Sequence, residues 1–378
     1  MNKTIPFSFN FLFFAGMASI VPYFVLYYQQ LGFSGAQISI LAGLPPLVTI
    51  FFSPFWTNLA DRTGRHKLIM SMGCLMVIAT DLLFPALTSF GAVLSVVLLI
   101  NVFISPVSPL ADSATMHMLT GQREMYGRIR IGGTIGWGVA SPIAGALIAH
   151  YGLKMGFWAS AAVFVLVLVL CQGFTFGKPE PAETRGSIRD LLSQRAWIYF
   201  MIYAFFGGVL LNSTSNFLSP YIKELGGNEV HVGMINLVAA FSELPAFFFG
   251  NRLLRKFGSH RLMLISLGIT GLRSFLFALS PTPVFAILAQ MLNGMTFAAM
   301  WTAGVAYADE HSPAGLKATG QGMLGAMTFG IGSAVGGFLG GFLLENVGGR
   351  GLFLTFGVIL VVGVAIVLFL ERRGERRT

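Results

Sequence analysis

Asp112 and Arg130 are opposite charges 18 residues apart, each embedded in apolar sequence, and Trp137 follows seven residues after the arginine. A carboxylate accepts hydrogen bonds from hydroxyls, a guanidinium donates to them, and an indole face covers the apolar side of a ring. Together the three residues would grip a polar, ring-bearing solute. A charge at the centre of a membrane helix costs roughly 2.5 to 3.5 kcal/mol on insertion scales, so such charges find one another or a water-filled cavity. A helix-pairing salt bridge is the alternative. A second pair is Glu243, in "AAFSELPAFFFG", with Arg273, in "GITGLRSFLF". An apolar setting disfavours the glutamate's charge and a neighbouring arginine favours it, so alternating between the two would load and release a proton. A fixed ion pair that never titrates is the competing reading. Asp81 is a third acid inside an apolar run, for a proton or for packing. Asn212 and Asn216, beside Ser213 and Ser215, offer amides and hydroxyls to a solute or, equally, to a neighbouring helix.

These residues must be positioned by membrane-spanning helices. With 55% hydrophobic residues, 36 Phe and a mean hydropathy of +0.75, the 378-residue chain has too little polar surface to coat a soluble globule. Twelve apolar runs are long enough to cross a bilayer, over 5–29, 36–60, 68–88, 91–118, 131–151, 153–176, 197–222, 232–251, 262–280, 283–307, 318–345 and 350–370. The first is too long for a signal-peptide core and has no clear cleavage site. Cys74 and Cys171 lie in apolar runs with no metal spacing and read as packing residues.

If both termini face the cytoplasm, all but Lys154, Lys223, Arg273 and Arg350 of the 24 Lys and Arg fall on the cytoplasmic side, the bias expected of inner loops. The hydrophilic segment 177–196 then reads as a cytoplasmic linker between six-helix halves, 1–176 and 197–370, with a basic tail over 371–378. The stretch "FWTNLADRTGRHKLIM" (55–70) becomes the loop between the second and third spans. A shift of 194 positions lays it over "FGNRLLRKFGSHRLML" (249–264), matching Gly64 with Gly258 and His66 with His260. Duplicated halves around one site are a transporter arrangement.

Twelve spans, a central linker and a loop close to G-x-L-a-D-R-x-G-R-r/k make the chain resemble the major facilitator superfamily over essentially its whole length. Asp61, Arg62, Gly64, Arg65 and Lys67 fit that pattern, with Thr57 or Asn58 where the first glycine usually stands. The resemblance implies an all-α integral membrane fold of two pseudo-symmetric six-helix bundles, and makes the loop a cytoplasmic gate. In such a latch the Asp61 carboxylate would face a helix N-terminus and the arginines would bridge to helix carbonyl ends; a purely topogenic basic loop is the plainer reading. The run "PLADSATMHMLTGQREMYGRIRIGGTIGW" is similar to the lactose permease branch and the related phenylpropionate and nucleoside permeases. That similarity places Asp112, Arg130 and Trp137 at a sugar site, although Asp112 and Thr134 depart from the sugar permeases. In the tenth span Asn293 and Trp301 appear, with no acid or histidine before Asp309.

The implied function is a secondary transporter in the cell membrane, a proton-coupled symporter importing a sugar, nucleoside or aromatic acid by alternating access. Its partners would be solute, protons and lipid, and it would act as a monomer without cofactor, metal or nucleic acid. A proton-coupled exporter, or a transport-inactive receptor of the same fold, are the alternatives. No H-E-x-x-H or G-x-S-x-G motif points to an intramembrane enzyme.

Overall fold

The protein was analysed as a computed structural model that describes residues 4–119, 125–177, 191–313 and 316–375. Most of the expected linker 177–196 and the last residues of the basic tail lie outside the described residues. Ten long apolar helices come first: α1 (Thr4–Gln30), α2 (Gly35–Thr63), α3 (His66–Ala86), α4 (Phe90–Met118), α5 (Tyr126–Tyr151), α6 (Lys154–Cys171), α7 (Arg195–Glu224), α8 (Glu229–Phe257), α9 (Ser259–Ala278) and α10 (Pro283–His311). An eleventh continuous stretch, Thr319–Glu371, is 53 residues long. At 1.5 Å per residue it would reach about 80 Å, far beyond the ~30 Å apolar thickness of a bilayer. It breaks at Gly348, where φ is +67° and ψ is 179°, giving α11 (319–347) and α12 (349–371). The twelve crossings expected from the sequence are therefore present, but the last turn between them is one glycine rather than a loop.

The repeat is visible in the backbone. Gly32 and Gly226, then Gly64 and Gly258, all take positive φ at positions related by the same 194-residue shift, conformations that side chains resist. Ser34 and Asn228, related by that shift too, cap α2 and α8 with reciprocal capping boxes to Gln37 and His231. These four turns fix where the second, third, eighth and ninth helices begin or end.

The first and last described residues, Thr4 and Glu375, lie at one end of the helices, called here the terminal end; the opposite end is the far end. The halves meet along α2 with α11, α5 with α8, and α1 with α7. Small residues carry these contacts. A Cβ on Gly341 would meet the Ser39 backbone N at 2.5 Å, one on Gly233 the Pro142 Cα at 2.6 Å, and one on Gly145 the Glu229 carbonyl at 2.5 Å. The Tyr23 hydroxyl also crosses, donating to the Glu229 carbonyl at 3.3 Å. All of these approaches lie between mid-helix and the far end. Toward the terminal end, Phe51 and Phe55 of α2 and Phe248 of α8 stand exposed.

Candidate functional site

The second-half cluster is built on α8, α9 and α10. Arg273 is only 3% exposed, and it donates to the Asn293 amide oxygen and, at 3.4 Å, to Gln290 Oε1. The Asn293 amide nitrogen in turn donates to Glu243 Oε1 at 2.8 Å. Glu243 and Arg273 therefore do not pair directly, as the sequence led one to expect: an amide stands between them, and no ion pair within 4.0 Å joins them among the described residues. Local backbone explains the reach. Asn293 precedes a π-helical turn, Gly294–Ala298, a feature common at functional sites. Gly294 N donates to Ser242 Oγ at 3.0 Å, and a Cβ at Gly294 would collide with the Ser242 carbonyl. Only glycine lets α10 come this close to α8.

The first-half cluster sits on α1, α4 and α5. Arg130 Nη1 donates to Asn10 Oδ1 at 3.4 Å, and its guanidinium lies 4.6 Å from the Phe14 ring centroid. Asp112 and Arg130 are electrostatic neighbours, and the Tyr126 hydroxyl interacts with both; they form no ion pair within 4.0 Å. Across the halves, Arg130 is also close enough for its charge to act on Glu243. Trp137 Nε1 donates to Asn236 Oδ1 of α8 at 3.3 Å. Asp112, Arg130, Trp137 and Glu243 are all half-buried, and the Trp137–Asn236 bond sets Trp137 against the second half.

The remaining expected residues lie elsewhere. Asn216 donates to both the backbone and side-chain oxygens of Asn212, and Asn212 packs against Gly336 of α11, so this pair occupies the α7–α11 seam. Asp81 is 1% exposed, turned toward Ser160 of α6, with its Oδ2 lacking a hydrogen-bond partner; it is separate from the Glu243 cluster. In the 55–70 loop the expected contacts are rearranged. Asp61 pairs with His66 Nε2 at 2.9 Å instead of a neighbouring helix N-terminus, and His66 stacks on Phe176 at 4.5 Å. Lys67, not an arginine, reaches a helix carbonyl end, donating to the Gln172 oxygen at 2.8 Å. Arg62 and Arg65 are exposed. Gly64 ends α2 with φ +68°.

Asn10, Asn236 and Gln290 are the contributors the sequence did not single out, whereas Asn293 and Tyr126 stood in runs already noted there but without these roles. Their only signal in the sequence is a polar side chain inside an apolar run, which packing residues share.

Residues 7–355 match the MFS_1 like family. The chain belongs to that family. It is a multi-pass membrane transporter of small solutes, of the major facilitator fold, and not an enzyme. The maltose permease of Geobacillus stearothermophilus is 27% identical over 98% of this chain and 95% of its own. The multidrug resistance protein MdtG of Salmonella schwarzengrund is 26% identical over 78% of this chain and 76% of its own. Among solved structures, the nucleoside transporter NupG superposes with a TM-score of 0.83 at 20% identity, covering 98% of this chain and 99% of that one. In this family member the halves pack closely toward the far end, and the Trp137–Asn236 hydrogen bond crosses between them.

Proposed function

We propose that this transporter is a proton-coupled symporter that imports a small polar organic solute, with carbohydrates the leading class and nucleosides or aromatic acids behind them. Both termini lie in the cytoplasm of the cell in whose membrane it sits, so the conformation closed at the far end is inward-open. Residues 1–176 and 197–370 act as the two moving halves. Asp112, Arg130 and Trp137 hold the solute, Glu243 carries the proton, and the Asp61 loop with Arg62, Gly64, Arg65 and Lys67 forms the cytoplasmic gate.

The observation that carries this reading is the relay of the second half, in which one neutral amide, Asn293, stands between the Glu243 carboxylate and the buried Arg273 guanidinium. A carboxylate held by a neutral amide rather than by its arginine can change partners when the halves rock, which is what coupling requires. Asn293 strengthens the case, since an amide satisfies both the charged and the neutral carboxyl. The name of the maltose permease relative supports a carbohydrate. The MdtG relatives favour a second reading, drug or metabolite export by proton antiport.

Vesicles reconstituted with the protein decide between them. Under an inward proton gradient, maltose is expected to accumulate; Glu243→Gln, which mimics the protonated acid, should still exchange maltose across the membrane but lose accumulation. Gradient-driven exclusion of a lipophilic cation, without maltose uptake, would instead establish export.

A further inference from the structure

Asn10 is a single amide among five phenylalanines in the run "FSFNFLFF" (7–14), and only 5% of it is exposed. An amide buried in such surroundings costs free energy unless it is hydrogen-bonded. Its Nδ2 donates to the Pro6 carbonyl one turn back on α1 at 3.0 Å. That bond alone would satisfy the donor end. It also fixes the direction of Oδ1, which receives Arg130 Nη1 of α5 at 3.4 Å. Phe14, one turn further along α1, holds its ring 4.6 Å from the same guanidinium.

Arg130 can settle against α1 because α5 carries no side chain at 133. A Cβ on Gly133 would lie 2.7 Å from the Phe14 ring and 3.0 Å from Arg130 Nη1, and one on Gly136 would collide with the Phe11 carbonyl. Glycine therefore sets both the approach of the two helices and the room for the guanidinium. Asp112 makes no ion pair with Arg130 within 4.0 Å among the described residues; the Tyr126 hydroxyl interacts with both. The second half follows the same scheme, with Arg273 donating to the Asn293 amide oxygen rather than pairing with Glu243. Each arginine of the site rests on an amide oxygen of its own half.

We infer that Asn10 is the positioning residue of Arg130: its amide oxygen, with the Phe14 ring beside it, fixes the guanidinium on the first half in the orientation that meets solute. The inference rests on the solute site proposed above and adds what holds its arginine. A long arginine side chain loses rotamer freedom when it binds, and an arginine already held loses less at the moment of binding. Asn10 and Phe14 both belong to α1, and α1 and α5 belong to one half, so the hold persists as the halves rock. Asn10 itself touches no solute; it acts through Arg130.

Two measurements test this. The first needs no solute: modification of Arg130 by phenylglyoxal, which bridges both terminal nitrogens of a guanidinium, is timed by peptide mass spectrometry. Asn10→Leu keeps the side-chain volume and should speed modification about tenfold, the population change produced by losing one hydrogen bond to a charged group. Asn10→Asp keeps an acceptor in place and should react no faster than wild type. Phe14→Leu leaves α1 apolar, removes only the ring, and should speed the reaction about threefold. Arg273, anchored in the other half, should react at its wild-type rate in all three. The second measures binding of maltose to the purified protein, which Asn10→Leu should weaken about tenfold and Asn10→Asp should leave as in wild type. Unchanged modification in Asn10→Leu or Phe14→Leu, an equal rise at Arg273, Asn10→Asp reacting as fast as Asn10→Leu, or full maltose affinity in Asn10→Leu would overturn the assignment. A wild type that shows this order of modification but binds no maltose would remove the carbohydrate reading and leave the anchor in place.

Discussion

Replacing Gly233 by alanine should shift the transporter between conformations without unfolding it. The glycine lies on α8 where it crosses α5 of the other half, and an added Cβ would sit 2.6 Å from Pro142 Cα, 2.6 Å from the Ser141 carbonyl and 3.0 Å from Pro142 N. All three are backbone atoms and have no rotamer to yield. Ordinary contact begins near 3.4 Å, so the helices must part by about 0.8 Å at this point. Overpacking of this kind costs about 1–3 kcal/mol. The penalty falls only on the conformation that brings α5 and α8 together, so it acts as a population shift of about 5- to 150-fold toward opening at the far end. Within α8 itself alanine is the better helix former, by about 1 kcal/mol, so the fold gains rather than loses. The assay is the alkylation rate of Ser39→Cys, a buried position in the seam of α2 with α11, in a background where Cys74 and Cys171 are serine, beside the thermal midpoint of the purified protein. Gly268→Ala on α9 is the control, since its Cβ meets nothing within 4 Å. Unchanged labelling in Gly233→Ala with a lowered thermal midpoint would show that the overlap is absorbed inside the bundle, and would refute the assignment of this crossing as a conformational seal.

Asn293→Leu keeps the side-chain volume but strips Glu243 of a donor and Arg273 of an acceptor; hydrogen bonds to charged groups are worth about 1.5–3 kcal/mol each, so the thermal midpoint should fall by several degrees, while Asn293→Asp restores the arginine's partner and part of the loss. Arg130→Ala leaves Asn10, Phe14 and Tyr126 without their shared cation and should abolish binding of maltose with little change in stability; full affinity in that variant would remove Arg130 from the solute site. Asp61→Asn removes the charge from the 2.9 Å contact with His66, a pair with one exposed partner and worth about 1 kcal/mol or less. Expression and insertion should be unaffected and the rate of labelling at Ser39→Cys changed, whereas an unaltered rate would make the loop only topogenic.

The membrane class and the number of crossings were legible in the sequence because both follow from one-dimensional quantities, the length and apolarity of runs. The basic residues favoured one orientation for the same reason. One turn was readable too: Gly64 and Gly258 recur at a fixed shift, and each occupies a positive φ that other residues avoid, while Gly32 and Gly226 showed the same relation only in the backbone. Asp112, Arg130, Trp137 and Glu243 stood out because charge and indole inside apolar sequence are costly enough to need a reason.

Partnership was decided by the tertiary structure. His66 and His260 occupy equivalent positions in the repeat, yet one meets Asp61 five residues away and the other lies 3.3 Å from Glu371 at the end of α12. The Tyr203 hydroxyl also binds that glutamate, at 2.9 Å. No local pattern encodes a contact that depends on which helix end is brought alongside. Asn293 shows the same limit in the site itself: the sequence offered a glutamate and an arginine in successive helices, for which a direct pair is the simplest expectation. It is the close approach of α10 to α8 at Gly294 that inserts an amide between them. Side-chain chemistry is written residue by residue, but the distance between two charges on different helices is set by how closely the backbones pack, and here that is set by glycines whose effect appears only when the helices meet.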